Sequence, residues 1–127
     1  MTRRRVGGLQ GLGGLTVNGF LHAAALVGSA GVSAVDFADL ALGCFIPTVV
    51  GQTLAAQAPA PDDRNYPGAL GTTEMNLNAL EHIAHTSVEQ GVHSGQPRLM
   101  KEIAERGIAE GHGGDNYMAV FEILKRR

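Results

Sequence analysis

The stretch from Thr72 to Gly91, TTEMNLNALEHIAHTSVEQG, decides the fold class. Thr72 or Thr73 suits a helix N-cap, and Glu74 follows where a carboxylate favours the positive end of a helix. Apolar residues recur every three or four positions and form one stripe: Leu77, Leu80, Ala84 and Val88. Gly91 can end the helix because glycine readily adopts the left-handed conformation. The stretch therefore predicts an amphipathic helix.

Two more helices are predicted on the C-terminal side of this stretch. Pro97 suits the first turn of a helix, where its missing N–H is not needed, and apolar residues follow it at helical spacing. Residues 111–114, GHGG, form a turn by composition. Asp115 is expected to begin a last helix that passes Phe121 and ends in cationic residues, which favour the negative end of a helix.

Helical patterns also dominate the N-terminal side. Ser33 is expected to cap a helix that Pro47 should kink or break, and residues 58–68 are a loop by composition. An earlier helix begins at Leu15. Residues 1–14 are expected to be irregular or disordered, because each glycine costs a helix about 1 kcal/mol relative to alanine. No stretch alternates apolar and polar residues as a strand would, so the fold class is all-α with about five helices.

Composition excludes several function classes. The chain has 127 residues, 44% hydrophobic and 17% charged, which fits one globular domain. Ten Lys and Arg against twelve Asp and Glu leave no broad basic field, so a nucleic-acid partner is not expected. Cys44 is the single cysteine and cannot form an internal disulfide, which suits a cytoplasmic protein.

A membrane or export segment is an open alternative near the N-terminus. Residues 6–35 carry no formal charge and follow Arg3, Arg4 and Arg5, as in a membrane span or a secretory signal. Asn18 and His22 would be costly inside a bilayer. A buried helix of a globular domain accounts for them better, so no membrane association is expected.

No complete active site follows from the residues alone. Residues 11–16, GLGGLT, match only the first half of the dinucleotide motif GxGxxG, and no predicted strand precedes them, so no cofactor-binding residue is assigned. Residues 81–85, EHIAH, differ from the zinc motif HExxH in order and spacing, and a solvated polar face is the favoured interpretation, with no metal site. His22 is expected to be a hydrogen-bonded helix residue, and the catalytic residues stay unknown.

Four phrases in unbroken order carry a family resemblance: Gly19–Gly31, Phe37–Val50, Tyr66–His82 and Gly107–Asp115. Together they resemble the C-terminal helical domain of the NADPH-dependent imine reductases and reductive aminases, which are relatives of the β-hydroxyacid dehydrogenases. The resemblance covers residues 15–127, and residues 1–14 look unrelated to that family.

The resemblance implies an all-helical dimerisation and substrate domain, with the architecture of the 6-phosphogluconate dehydrogenase C-terminal domain. It implies a homodimer whose helical domains interlock, and an active cleft completed by a nucleotide-binding domain. In that cleft NADPH delivers hydride to an imine. Met75 and Asn76 match a pair that lines the substrate side of the cleft, and Phe45 matches a bulky pocket position.

Two departures from the family shape the expected function. No Rossmann domain is present, and the Tyr or Asp that commonly acts as the acid falls at Gly14 or its neighbour. The chain is therefore expected to be a fragment or one half of a split enzyme, inactive alone, with NADPH bound by a domain outside it. A separate Rossmann-domain protein is one candidate partner. The alternative is a non-catalytic dimerisation module.

Overall fold

A computed structural model describes residues 2–126, whose regular secondary structure is all helical. There are five helices: α1 (Arg3–Gly28), α2 (Ala34–Asp63), α3 (Thr73–Glu89), α4 (Gly95–Gly107) and α5 (Phe121–Leu124). A π-helical turn, Ile108–His112, follows α4, and a 3₁₀ turn, Tyr117–Val120, leads into α5. No strand occurs in residues 2–126, so the predicted all-α fold is confirmed.

The first helix corrects the expectation that residues 1–14 are irregular. Arg3–Gly14 form the first half of α1, and Met1 lies outside the described residues. Thr2 caps the helix, its Oγ1 accepting from the Arg5 N–H at 3.3 Å. Once the alanine-rich half has nucleated, each further residue adds a hydrogen bond without a new nucleus. The glycine-rich half is therefore spared the cost of nucleating a helix of its own.

Pro47 does not break α2, which corrects the expectation that a proline at this position would break the helix. Ala34–Leu40 and Gly51–Gln57 are α-helical, and the intervening Ala41–Val50 is π-helical with Pro47 inside it. A π-helical amide donates to the carbonyl five residues back, as Gly51 N–H does to Ile46 O. The wider turn relieves the clash that a proline ring makes with the carbonyl four residues back in an α-helix.

The predicted loop at residues 58–68 is also helical in its first part. Pro59–Asp63 continue α2, with Pro59 at the first position, where a missing N–H is tolerated. Arg64 ends the helix in the left-handed conformation, with φ 51°. The remaining residues up to Thr72 carry no helix and form the connection to α3.

The core is small and lies where α3, α4 and the C-terminal helical turns meet. Its buried residues are Leu80 and Ala84 of α3, Ala104 of α4, and Ala119, Val120 and Ile123. The predicted boundaries of α3 are confirmed: Thr72 Oγ1 accepts from Met75 N–H at 3.2 Å, and Gly91 has φ 70°. The predicted stripe is buried at its centre only, because Val88 is exposed.

The helices α1 and α2 contrast with this core, because α1 buries no residue and α2 buries only Ala41. Among the contacts that link α1 to the rest, Phe20 stacks on Phe37 with ring centroids 5.5 Å apart, and His22 reaches Ser87 of α3. By length and composition both helices could cross a membrane, with mean hydropathies of 1.2 and 1.6. A helix with no buried face gains little stability from its own chain, so both need a covering surface.

Candidate functional site

The N-terminus of α3 is joined tightly to the segment before α5. Thr73 is fully buried, and both its N–H and its Oγ1 donate to Asp115 O, at 2.8 and 3.0 Å. Asn116 N–H donates to Tyr66 O at 3.0 Å. Three segments that are distant in sequence thus meet at one junction, which fixes the side chains around the first turn of α3.

A ring of polar contacts braces the same junction. The buried Tyr66 donates its hydroxyl to Glu122 Oε2 at 3.2 Å, and its ring meets His112 edge-on. Burial, and then the bond to Glu122, raise the pKa of Tyr66. Lys125, 2.9 Å from Glu122, lowers the pKa of that carboxyl. His112 Nδ1 lies 2.8 Å from Asp115 Oδ2, so an ionisable pair also closes the turn.

Asn76 lies in a cleft beside this junction. The cleft has a volume of about 220 Å³ and takes its walls from α2, the connection to α3, α3 itself and the segment before α5; the lining residues are Thr53, Gln57, Leu70, Gly71, Asn76, Asn116, Tyr117 and Met118. Asn76 Nδ2 donates to Thr72 O at 3.0 Å, which leaves Oδ1 to face a ligand. The walls combine neutral polar groups with two apolar side chains.

Phe45 lies in a second, wholly apolar groove of about 330 Å³ on α2, formed with Phe37, Leu40, Ala41, Cys44 and Val49. The groove and the Asn76 cleft follow one another, since Val49 and Thr53 are about one helical turn apart. Met75 is 62% exposed and lines neither cavity. Within one chain the structure therefore does not bring Phe45, Met75 and Asn76 into a single pocket.

Sequence reasoning missed Gln57, Asn116 and Tyr117 as cleft residues. They come from the end of α2 and from the segment that follows the π-helical turn, so only the fold brings them to Asn76. Burial raises the pKa of Tyr117, which keeps its hydroxyl protonated. The one signal in the sequence is an N-cap residue before the last helical segment, and this residue is Asn116 rather than the predicted Asp115.

The other residues considered in the sequence analysis do not join the Asn76 cleft, and each has its own local environment. His85 pairs with Glu89 at 3.0 Å, and Glu81 lies 3.9 Å from Lys101. His22 Nε2 lies 3.1 Å from Ser87 Oγ, which confirms a hydrogen-bonded helix histidine. Cys44 is exposed on α2, on a face that points away from the core of its own chain.

The described residues do not fit NADPH. Gly11–Gly14 lie inside α1, where their amides belong to the helix and cannot cradle a phosphate. Residues 2–126 offer no strand on which a dinucleotide fold could be built, and no cationic side chain lines the Asn76 cleft. Hydride chemistry would need groups beyond those that this structure describes.

The helical order, the exposed faces of α1 and α2 and the cleft beside α3 define the class of this protein as a helical domain that packs against another chain or domain, not a nucleotide-binding domain. The chain belongs to the family described as NADPH-dependent reductive aminase-like, C-terminal domain, whose profile matches residues 14–126. It is 33% identical over 119 residues to an NADPH-dependent reductive aminase of Aspergillus oryzae, covering 92% of this chain and 40% of that protein.

Solved structures agree with this assignment. A reductive aminase from Aspergillus terreus, in complex with NADPH4, cyclohexanone and allyl amine, superposes with a TM-score of 0.82 at 37% identity, covering 94% of this chain and 41% of that one. The same figures hold for its complex with NADPH and ethyl levulinate. The imine reductase BcSIRED from Bacillus cereus shares the fold at 24% identity, with a TM-score of 0.88 and coverage of 97% and 42%. The chain spans about two fifths of the length of these relatives.

Proposed function

We propose that this chain is the substrate-covering half of an NADPH-dependent reductase of C=N bonds. Family membership supports the reaction class, and the cleft at Asn76 supports the role of this domain. NADPH is bound by a nucleotide-binding domain outside the residues described, either on the same polypeptide or on a separate Rossmann-domain protein. The chain alone therefore does not reduce imines.

The observation that carries the proposal is the unburied apolar surface of α1 and α2. Large apolar side chains are exposed along both helices: Leu9, Leu12, Leu15, Val17 and Leu21 on α1, and Leu42, Val50 and Leu54 on α2 outside the Phe45 groove. Contiguous apolar surface of this extent marks an interface rather than a solvated face. A second copy offers the same two helices, so we propose a homodimer in which they cover one another.

Substrate contacts follow from the same arrangement. Phe45 and the apolar groove on α2 receive the hydrocarbon part of a ketone or imine, and Asn76 presents a neutral amide to its polar part. Met75, exposed beside Asn76, closes the site only when another domain packs against it. Ketones such as those bound by the Aspergillus terreus enzyme, cyclohexanone and ethyl levulinate, are the substrate class proposed here.

A non-catalytic dimerisation module is the second candidate, and one observation favours it. On α1 the position where the family's acid is expected falls at Gly14 or its neighbour, and within the described residues His22 is the one ionisable side chain of α1 after Arg5. Such a helix can pack against a partner without supplying a proton.

One experiment separates the two candidates. The nucleotide-binding part of the Aspergillus oryzae reductive aminase is fused in front of this chain, and NADPH consumption is measured with cyclohexanone and allyl amine. The reductase proposal expects amine product from the fusion and none from the chain alone. A fusion that binds NADPH and dimerises but forms no amine supports the dimerisation module, and turnover by the chain alone contradicts both.

The proposed location is the cytoplasm, with no membrane association. In this proposal the apolar faces of α1 and α2 are covered by protein rather than by lipid. Cell fractionation tests it: the chain is expected in the soluble fraction, and its recovery with membranes after a high-salt wash contradicts the proposal.

A further inference from the structure

An open groove, called here the α1–α4 groove, runs between α1 and the first turns of α4. Two adjoining cavities of about 300 and 440 Å³ form it, and both are lined by Gly19 of α1 and by Gln96 and Met100 of α4. Its rim is apolar and uncovered, because Leu15 is 74% and Leu99 58% exposed. The chain itself therefore leaves this groove open.

The surface of the whole chain is too large for a compact monomer. It measures 8765 Å², whereas a folded monomer of 13.2 kDa exposes about 6,400 Å². The difference is about 2,300 Å² for each chain, which lies within the range that a subunit of an obligate homodimer buries. A second copy can therefore account for the whole surplus.

The charge pattern favours a second copy of this chain as the occupant. Residues 6–61 contain two formal charges, Asp36 and Asp39, and no charged residue lines the groove at neutral pH. A two-fold interface brings one patch against itself, where like charges would repel, so an uncharged patch is self-complementary. Lipid suits the groove less well, because Asn18 and Gln96 line it and polar side chains are costly in hydrocarbon.

The exposed face of α2 matches the groove in length and chemistry. Leu42 and Leu54 are exposed and lie outside the Phe45 groove, and residues 40–61 carry no formal charge. On α1 the α1–α4 groove extends from Leu15 to Leu26. Both segments span about three helical turns, so one α2 can fill one groove along its length.

From these observations, and resting on the proposed homodimer, we infer that α2 of a second copy lies in the α1–α4 groove. The contact is made twice in a dimer, because each copy offers one groove and one α2. The inference assigns a specific surface and a specific occupant to an interface that the proposed function leaves general.

His22 lines this groove and reports whether it is covered. Its Nε2 donates to Ser87 Oγ, and the lining residues that face it from α3 and α4 include no acidic or basic side chain. Under a partner's uncharged α2, a protonated His22 would be buried without a counter-ion, which is costly. Acidic pH is therefore expected to weaken the dimer, since histidine gains its charge between about pH 8 and pH 5.

Cys44 allows a direct test, because it is the single cysteine and is exposed on α2. Chains with a nitroxide spin label on Cys44 are mixed with ¹⁵N-labelled Cys44→Ser chains, so that broadening reports contacts between copies only. We expect the amide signals of Gly19, Gln96 and Met100 to broaden and to recover when ascorbate reduces the label. The matched control is the same label at Leu124→Cys in the Cys44→Ser chain, which should leave these signals sharp.

Sedimentation velocity at about pH 7.5 and about pH 5.5 is the second test. The dissociation constant of the unmodified dimer is expected to rise about tenfold or more at the lower pH. His22→Gln keeps a donor for Ser87 and should remove this rise, whereas His82→Gln, exposed on α3 and outside the groove, should retain it.

Three results would overturn the inference and leave the proposed homodimer standing. They are broadening that spares the groove in a dimeric chain, equal broadening of the groove by the two labels, and a His22→Gln dimer as sensitive to pH as the unmodified one. A monomeric unmodified chain would contradict the homodimer as well, and would leave lipid or a nucleotide-binding domain to cover the groove.

Discussion

His22 and Ser87 stand 65 positions apart in the sequence, and their side chains meet at 3.1 Å between Nε2 and Oγ. Ser87 is fully buried and donates its own hydroxyl hydrogen to Ile83 O at 2.7 Å, so it accepts from His22. This bond ties the C-terminal half of α1 to α3, while the N-terminal half of α1 exposes its apolar residues. Together with the stacking of Phe20 on Phe37, it holds the C-terminal half of α1 against the rest of the chain.

Ser87→Ala is expected to loosen α1. The change leaves His22 Nε2 half-buried without an acceptor, which costs about 1–2 kcal/mol. Chemical denaturation measures the loss, and hydrogen exchange locates it in α1. Ser29→Ala, at the exposed end of α1, is the control and should change stability by less than about 0.5 kcal/mol. Equal effects of the two variants would contradict this role for the bond.

Gly68 and Gly114 offer a matched pair of variants at the junction beside the cleft. A Cβ at Gly68 would overlap Gly114 O, whereas a Cβ at Gly114 would meet nothing within 4 Å. Gly68→Ala is expected to destabilise the fold by about 1–3 kcal/mol, as overpacking does. Gly114→Ala should be close to neutral. Urea midpoints of the two variants test the difference, and a Gly68→Ala variant as stable as Gly114→Ala would show that the junction is loose.

The raised pKa of Tyr66 predicts a loss of stability at alkaline pH. The neutral phenol donates to Glu122, so the folded state holds its proton above the ordinary pKa of 10.0. The stabilisation is complete below pH 10.0 and is lost as the pH rises through the folded value. Tyr66→Phe removes the bond and should be less stable near neutral pH, with a smaller loss of stability as the pH rises above 10.0. A variant whose stability falls as steeply as that of the unmodified chain would contradict this.

The lowered pKa of Glu122 predicts the opposite dependence at acidic pH. Lys125 and Tyr66 favour its charged form, so this stabilisation is present above the ordinary pKa of 4.5 and is lost as the pH falls below it. In thermal unfolding measured at several pH values, the Glu122→Gln variant should lose less stability below pH 4.5 than the unmodified chain does. The control is Glu102→Gln, a helix-surface change outside this ring of contacts. The prediction is wrong if both variants lose as much stability at acidic pH as the unmodified chain.

Local signals in the sequence predicted much of the fold, and contacts between distant segments account for the rest. Thr72, Ser33 and Gly91 act through bonds or dihedrals within a few residues, so their caps and turns could be read directly. Residues 3–14 were misjudged because glycine propensity is local, whereas the helix there is continued from its C-terminal half. Pro47 was misjudged because a π-helical turn accommodates the proline.

In the candidate site, too, some residues could be predicted from the sequence, whereas others join the site only through contacts between distant segments. Asn76 was found through the family resemblance, whereas Gln57 and Asn116 join it only through the folding of α2 and the C-terminal segment around α3. Phe45 lies in an apolar groove that is separate from the Asn76 cleft within one chain, so its role in substrate binding stays a prediction. A pattern along one chain does not reveal contacts that a second copy or another domain completes.

The dimer proposal places α1 and α2 against a second copy of this chain, and sedimentation velocity at micromolar concentration measures whether that dimer forms. Leu15, 74% exposed on α1, should tolerate no charge in such an interface, whereas Leu124, 63% exposed on α5, should tolerate one. The account predicts a dimer for the unmodified chain and for Leu124→Glu, and a monomer for Leu15→Glu. A monomeric unmodified chain, or a dimer that Leu15→Glu leaves intact, would contradict it.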